Sequence, residues 1–232
     1  MDFESQLCIK VVVLLLPFFI IGIRLLWVLP AVNSPPMGSE KEKGLCQIPS
    51  ELKGSNLMIF LGSGGHTGEM MRILDNVDLN NFNRTWVTSS GDSTSILKCK
   101  KYEDERLASS HNKLDYLVLH RARTVGESII LSVFSTVRSL MSTIKRLYDL
   151  PQFPSILLLN GPGTSVPLAY IIFLLKFLGL CKTRIIYIES LARVKQLSVS
   201  GLLILPIADR FIVQWKQLAV RYKRAEYYGI LI

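Results

Sequence analysis

The chain has 232 residues, 49% of them apolar, with a mean hydropathy of +0.33 and a formal net charge of +9. So apolar a composition argues against a freely soluble protein and for membrane contact. Its four cysteines (Cys8, Cys46, Cys99 and Cys181) show no CxxC or metal-ligand spacing, and its scattered basic residues form no nucleic-acid-binding module, so neither a metal nor a nucleic acid is expected.

The source of the high hydropathy lies at the start. From Ile9 to Val32 the chain is almost wholly apolar, broken only by Lys10, Pro17, Arg24 and Pro30. That is long enough to cross a bilayer as a helix. A cleaved signal peptide is the rival reading. However, Asp2 and Glu4 make the leading segment acidic, and Ala31-Val32-Asn33 matches a cleavage site poorly. A retained anchor over 9–32 is therefore expected. Only Lys10 lies before the span, whereas Arg24, Lys41, Lys43 and Lys53 lie at its end or beyond. The positive-inside rule then puts residues 1–8 across the membrane and the body of the chain in the cytosol. There the cysteines stay reduced and the sequon Asn83-Arg84-Thr85 stays unmodified. The basic cluster Lys216, Arg221, Lys223 and Arg224, on an expected helix, suits anionic headgroups or a phosphorylated lipid.

Residues 33–54 are rich in Pro, Gly, Ser, Lys and Glu and read as a linker. Strands are then expected at Leu57–Leu61, Arg84–Thr88, Tyr116–His120, Ile156–Leu159, Arg184–Ile188 and Arg210–Val213. Helical patterns fall near Thr67–Asn76, Ser93–Lys100, Val125–Tyr148 and Val166–Leu180. Short apolar strands without alternation predict a parallel sheet covered on both faces. The expected fold is α/β, a single Rossmann-like doubly wound parallel sheet over 55–232, preceded by one N-terminal transmembrane helix. The apolar stretch Ser165–Cys181 lies between two strands and carries Pro167 and Lys176, so it reads as a covering helix rather than a second span. Val125–Tyr148 is amphipathic and is expected to pack on the sheet, with membrane insertion as the alternative.

Leu57-Met58-Ile59-Phe60-Leu61 runs into Gly62-Ser63-Gly64-Gly65-His66-Thr67-Gly68 and then into helix formers beginning with Glu69. A strand that turns through glycines into a helix presents backbone N–H groups and a positive helix end to phosphate. The turn lacks the Lys-Ser/Thr ending of a Walker A loop, and the next strand offers no acid for a ribose hydroxyl. His66 adds a group able to take a proton beside that anion site. A solvated loop histidine is the alternative, and its place within the glycine cluster favours function.

Four more strand ends carry notable residues. Arg121 and Arg123 could clamp a diphosphate or simply face solvent. Asn160-Gly161-Pro162-Gly163-Thr164-Ser165 is a second glycine-rich turn into a helix and a second candidate N–H cradle. Glu189, in Ile188-Glu189-Ser190, could meet a sugar hydroxyl or cap a helix. The last strand ends in Gln214-Trp215. No D-x-D, HExxH or serine-triad pattern occurs. Glycine turns, a histidine and arginines together suit a ligand with a diphosphate and a sugar, with no cofactor or metal required.

The segments Gly62 to Met70, Arg121-Ala122-Arg123, Asn160 to Thr164, Ile188-Glu189-Ser190, Ala208 to Trp215 and Tyr227-Tyr228-Gly229 together resemble the membrane-anchor subunit of the eukaryotic dolichol-linked N-acetylglucosaminyltransferase. The likeness runs from about Leu57 to the C-terminus and includes the anchor. It implies the N-terminal, acceptor-side half of a GT-B glycosyltransferase at the endoplasmic reticulum membrane. A separate soluble subunit would bring most of the UDP-GlcNAc site, and the pair would add the second GlcNAc to GlcNAc-diphosphate-dolichol. The resemblance implies His66 as base, with Glu189 as helper or as the base itself. Ser63, Gly64, Gly65, Thr67, Gly68, Asn160, Gly161, Gly163 and Thr164 would hold phosphate or sugar, and Arg121 and Arg123 the lipid diphosphate. The apolar end Tyr227, Tyr228, Ile230, Leu231 and Ile232 is expected to dock the partner. A pure membrane recruiter and a self-sufficient lipid-linked sugar transferase are the other possibilities. A complete GT-B enzyme needs two α/β domains, and this chain has room for one.

Overall fold

The computed structural model describes residues 3–33, 53–107, 112–120, 129–150, 152–161 and 163–232. Most of the expected linker, together with Arg121 and Arg123, lies outside them. The first helix, α1 (Phe3–Val28), carries the apolar segment. Its residues Lys10–Val28 have a mean hydropathy of 2.6, and none is buried against the rest of the chain. At about 1.5 Å per residue this segment reaches roughly 28 Å, close to the hydrocarbon thickness of a bilayer. One such helix fits a single-pass membrane anchor. A one-turn helix, α2 (Pro30–Asn33), follows it.

Beyond the anchor, seven strands form one sheet: β1 (Asn56–Phe60), β2 (Asn83–Ser89), β3 (Leu114–Leu119), β4 (Ile156–Asn160), β5 (Arg184–Ile188), β6 (Arg210–Val213) and β7 (Ala225–Tyr227). All pairings are parallel, in the order β3-β2-β1-β4-β5-β6-β7. Parallel neighbours need long crossovers. These hold α3 (Gly65–Leu74), α4 (Ser93–Arg106), α5 (Ile129–Tyr148), α6 (Ser165–Phe177), α7 (Val199–Ile204) and α8 (Lys216–Arg221). The strand order reverses between β1 and β4, and a crevice at such a switch point is where doubly wound sheets take ligands.

Successive side chains of a strand point to opposite faces, so a strand covered on both sides must be apolar throughout. Leu57, Ile59 and Leu61 pack with Met70 and Leu74 of α3 and Cys99 of α4. Met58 and Phe60, between them, join Leu157, Leu159, Leu168, Ile172 and Leu147 on the other face. Each fully buried side chain of this kind contributes roughly 1.5–3 kcal/mol. One charged pair interrupts this core. Arg84 of β2 meets both oxygens of Glu103 at 2.8 and 2.9 Å, and Trp86 Nε1 donates to the same carboxylate at 2.6 Å. The sequon asparagine is also engaged: Asn83 Nδ2 donates to Gly54 O and Oδ1 accepts from Lys113 N–H.

The six expected strands are present. The seventh has three residues and α7 has six, too few to show a period. α6 is a covering helix, as expected, with Leu168, Ala169, Ile171 and Ile172 buried. In α5, Leu147 is buried and Leu140 packs on the core, whereas Met141, Ile144 and Tyr148 are exposed. The apolar spacing of that helix is therefore wider than the face that contacts β3 and α6.

Candidate active site

The turns after β1 and β4 meet at the switch point. Gly64, with φ 67° and ψ −123°, precedes α3 in a backbone conformation that a side chain would strain. The helix starts at Gly65, two residues before the expected start, so His66 and Thr67 lie in its first turn. Those early N–H groups have no intrahelical acceptor and carry the positive end of the helix dipole. A Cβ built on Gly64, Gly65 or Gly68 would meet nothing within 4 Å. The ground in front of the helix start is open, and Gly64 and Gly65 are exposed, with Ser63 half-buried beside them.

The imidazole of His66 lies across Gly161. A Cβ on that glycine, whose φ is +92°, would sit 2.5 Å from His66 Cγ and 2.6 Å from Nδ1. His66 Nδ1 lies 3.0 Å from Asn160 Oδ1, at the end of β4. Asn160 is fully buried, and its Nδ2 donates to Glu69 Oε2 at 3.3 Å. The other oxygen of Glu69 accepts from Ser190 Oγ at 2.9 Å and from Leu191 N–H at 3.2 Å. Glu69 Oε2 itself stands 3.7 Å from His66 Nδ1.

This chain of contacts assigns a tautomer. An ionised carboxylate only accepts, so Asn160 turns its amide nitrogen toward Glu69 and its oxygen toward His66. Nδ1 must then carry a hydrogen, so in the neutral imidazole the lone pair lies on Nε2. The His66 side chain is about one-third exposed. Glu69 is the residue that sequence reasoning missed. It was legible only as a helix former, yet its oxygens tie three loops together.

The other expected site residues separate into two groups. Gly163, exposed, and Thr164, buried at the N-cap of α6, lie in the second turn with Gly161. Tyr187 of β5 steadies that turn through a hydroxyl 3.3 Å from Gly161 O. Burial pushes its phenol well up, with the Glu189 charge adding to the effect, so it remains a neutral donor. Thr67 faces inward instead. Its hydroxyl donates to Gly62 O and lies 2.6 Å from Ser95 Oγ, which bonds Asp92 at the α4 cap. Glu189 is 1% exposed and also faces inward. Its oxygens accept from Ser190 N–H at 3.0 Å, Ser198 N–H at 2.9 Å and Ser198 Oγ at 3.0 Å, beside the start of α7. None of these Glu189 contacts is with His66 itself; the link to it runs through Ser190, Glu69 and Asn160.

The C-terminal residues run along the same strand-end edge. Tyr227 ends β7, and Tyr228 Oη donates to Glu226 Oε2 at 2.8 Å. Leu231 N–H donates to Gln214 Oε1, whose amide nitrogen in turn bonds Glu189 O. Tyr228 and Ile230 are exposed, while Leu231 and Ile232 are half-buried. Among the described residues no group of His, Cys, Asp or Glu side chains has the arrangement of a metal site.

The family model for "oligosaccharide biosynthesis protein Alg14 like" matches residues 57–231. The chain belongs to the Alg14 family. It is 93% identical over 232 residues to the UDP-N-acetylglucosamine transferase subunit ALG14 of Debaryomyces hansenii, covering all of both chains. Against the subunit of the same name from Candida albicans it is 49% identical over 234 residues, again covering all of both chains. Against that of Schizosaccharomyces pombe it is 42% identical over 178 residues, covering 76% of this chain and 83% of that one. Among solved structures, MurG of Acinetobacter baumannii superposes with a TM-score of 0.50 at 9% identity. That match covers 75% of this chain and 45% of MurG. Three quarters of this chain thus share the fold of a little under half of that protein.

Proposed function

We propose that this chain is the membrane-anchored, acceptor-side half of a two-subunit transferase that adds the second GlcNAc to GlcNAc-diphosphate-dolichol on the cytosolic face of the endoplasmic reticulum. As a member of the Alg14 family it is a subunit of a UDP-N-acetylglucosamine transferase, with an N-terminal helix that fits a single-pass anchor. The observation that carries the finer reading is the oriented histidine. Glu69, Asn160 and the Gly161 turn hold a one-third exposed imidazole whose neutral form has its lone pair on Nε2, at the switch point of the sheet. A pure recruiter would have no use for that arrangement.

In the proposed reaction, His66 Nε2 takes the proton of the acceptor sugar's 4-hydroxyl as its oxygen attacks the anomeric carbon of UDP-GlcNAc. The new glycosidic C–O bond forms as the bond to the UDP oxygen breaks, with inversion at carbon and UDP leaving. Gly64, Gly65 and Gly68 at the start of α3, and Gly161, Gly163 and Thr164 at the start of α6, hold the acceptor's phosphate or sugar through N–H groups. Arg121 and Arg123 take the lipid diphosphate. Glu189 serves by fixing the loop after β5, from which Ser190 and Leu191 hold Glu69. The soluble partner supplies most of the UDP-GlcNAc site and closes the cleft over the strand ends. Tyr228 and Ile230 meet it there.

The deciding experiment is GlcNAc transfer from UDP-GlcNAc to a GlcNAc-diphosphate-lipid by the full-length chain, with and without the soluble subunit. Activity is expected only with both. Turnover by the chain alone would reveal a complete donor site. If His66→Ala leaves the pair fully active, the chain is only a recruiter.

A further inference from the structure

At the opposite edge of the sheet, where the strands begin, the anchor meets the domain. Arg24, near the end of α1, donates from Nε to Phe177 O at 2.9 Å and from Nη2 to Lys176 O at 3.4 Å. It thereby satisfies the last carbonyls of α6, where a cation is also favoured by the helix dipole. Ala31 N–H donates to Pro206 O at 3.2 Å. Asn33 Nδ2 closes the end of α1 on Leu26 O and Trp27 O. The anchor is therefore locked to the domain, not loosely tethered.

This junction surrounds a cavity of about 440 Å³, whose lining includes Arg24, Trp27, Lys176, Lys182, Arg184 and Asp209. Four cationic side chains face one carboxylate, and that carboxylate is already engaged. Asp209 Oδ1 accepts from Lys176 Nζ at 2.6 Å and Oδ2 from Ile185 N–H at 2.8 Å. Lys182 and Arg184 are exposed and make no ion pair among the described residues. Among the described residues, the cavity therefore carries positive charge in excess of its one carboxylate. It also lies at one end of the membrane-length segment Lys10–Val28, beside a Trp27 that is 78% exposed. Tryptophan and basic side chains at the end of an apolar span are the groups that favour the headgroup layer.

We propose that this junction binds the phosphate of an anionic glycerophospholipid. Arg184 and Lys182 take the phosphate, and the acyl chains lie along the apolar face of α1. The guanidinium offers a forked pair of donors and the ammonium a mobile point charge, a combination suited to a phosphodiester. A lipid fits better than a soluble anion because Trp27 and Val28 form one wall of the cavity. That wall continues into the exposed residues of the anchor, an apolar surface that only acyl chains complement. The site is separate from the proposed acceptor site. Arg184 opens β5, whereas Asn160 and His66 lie at the other strand ends, roughly one strand length or 17 Å away. A bound lipid would fix the tilt of the domain on the bilayer, and so the height of the glycine turns above it.

The test is native mass spectrometry of the full-length chain in detergent, titrated with phosphatidylinositol, phosphatidylcholine or inorganic phosphate. A one-to-one phosphatidylinositol adduct is expected, favoured about tenfold or more over phosphatidylcholine. Lys182→Ala with Arg184→Ala should abolish that preference, whereas Lys98→Ala with Lys101→Ala, on α4, should leave it intact. Arg184→Gln alone, at an exposed position, provides a second reading if the double variant unfolds. Equal binding of both lipids, or an unchanged preference in the variants, overturns the proposal. Displacement of the lipid by phosphate at equal concentration would assign the cavity to a soluble anion and also overturn it.

Discussion

The orientation of His66 depends on a residue that never touches the reacting atoms. Glu69→Gln is nearly isosteric, yet it replaces one acceptor oxygen with an NH2 group. If that group faces Asn160, the asparagine amide must turn over and present its own NH2 to His66 Nδ1. The hydrogen then moves to Nε2, where the lone pair is needed. The expected result is a kcat loss approaching that of His66→Ala, about 10²–10⁴-fold for a general base, with KM for UDP-GlcNAc little changed. Nitrogen chemical shifts of His66 should report the changed tautomer. Retention of the wild-type tautomer and rate would remove Glu69 from the mechanism.

A second residue-scale prediction concerns stability. Burial pushes the Cys99 thiol up from 9.0 to about 11. The folded value lies above the unfolded one, so the native state keeps its proton longer. Stability is at its full value below pH 9 and falls as pH rises toward 11. Tyr102 and Tyr116 are also shifted upward by burial and add to the fall. Urea midpoints across that range should decline, and less steeply in Cys99→Ala. An identical slope in the variant would show that Cys99 ionises as readily in the folded chain as in the unfolded one.

At the scale of elements, the fold was largely readable because its signals are local. β1 is a short apolar run that ends in glycines, and that sequence alone predicts a buried strand turning into a helix. β7 shows no comparable signal: Ala225-Glu226-Tyr227 is held by pairing with β6 and by the Arg210 pair with Glu226. Site residues divide in the same way. The candidates His66 and Gly161 stand out in the sequence because each lies in its own glycine turn. Glu69 was missed because its partners Asn160 and Ser190 are 91 and 121 positions away, and no spacing rule spans that distance. Thr67 and Ser95 are likewise joined only by the packing of α3 beside α4.

The contact between the two turns gives a prediction at this scale. Gly161→Ala would strain a backbone with φ +92° by roughly 1–2 kcal/mol. Its methyl group would also occupy the space of the His66 ring. A displacement of about 1 Å in a positioned group can cost about 10²-fold in rate. Activity should therefore fall much further than stability, as read by transfer assays alongside thermal unfolding. A variant that loses only stability would mean that the ring tolerates displacement.

For the whole molecule, the question is what completes the cleft. In the proposed reaction the acceptor side is open: a Cβ on Gly64, Gly65 or Gly68 would meet nothing within 4 Å. The C-terminal residues leave β7 at the same strand-end edge as these turns, and among the described residues β7 is the last strand of the sheet. Tyr228 and Ile230, exposed just beyond that edge strand, are the apolar side chains there that a partner could cover. Tyr228 is well placed as an anchor residue, because Arg210 and Glu226 hold its hydroxyl while about half of the residue remains exposed. Ile230→Asp, at a position half exposed in the isolated chain, should barely alter its thermal unfolding. It should weaken capture of the soluble subunit by roughly 30-fold, as expected for a side chain worth about 2 kcal/mol at an interface. Transfer activity would then fall at low subunit concentration and recover as the soluble subunit is raised, because His66 and the glycine turns are untouched. That recovery separates docking from catalysis. If activity is lost at every concentration, the C-terminal end shapes the site itself; if capture is unchanged, the partner docks elsewhere on the sheet.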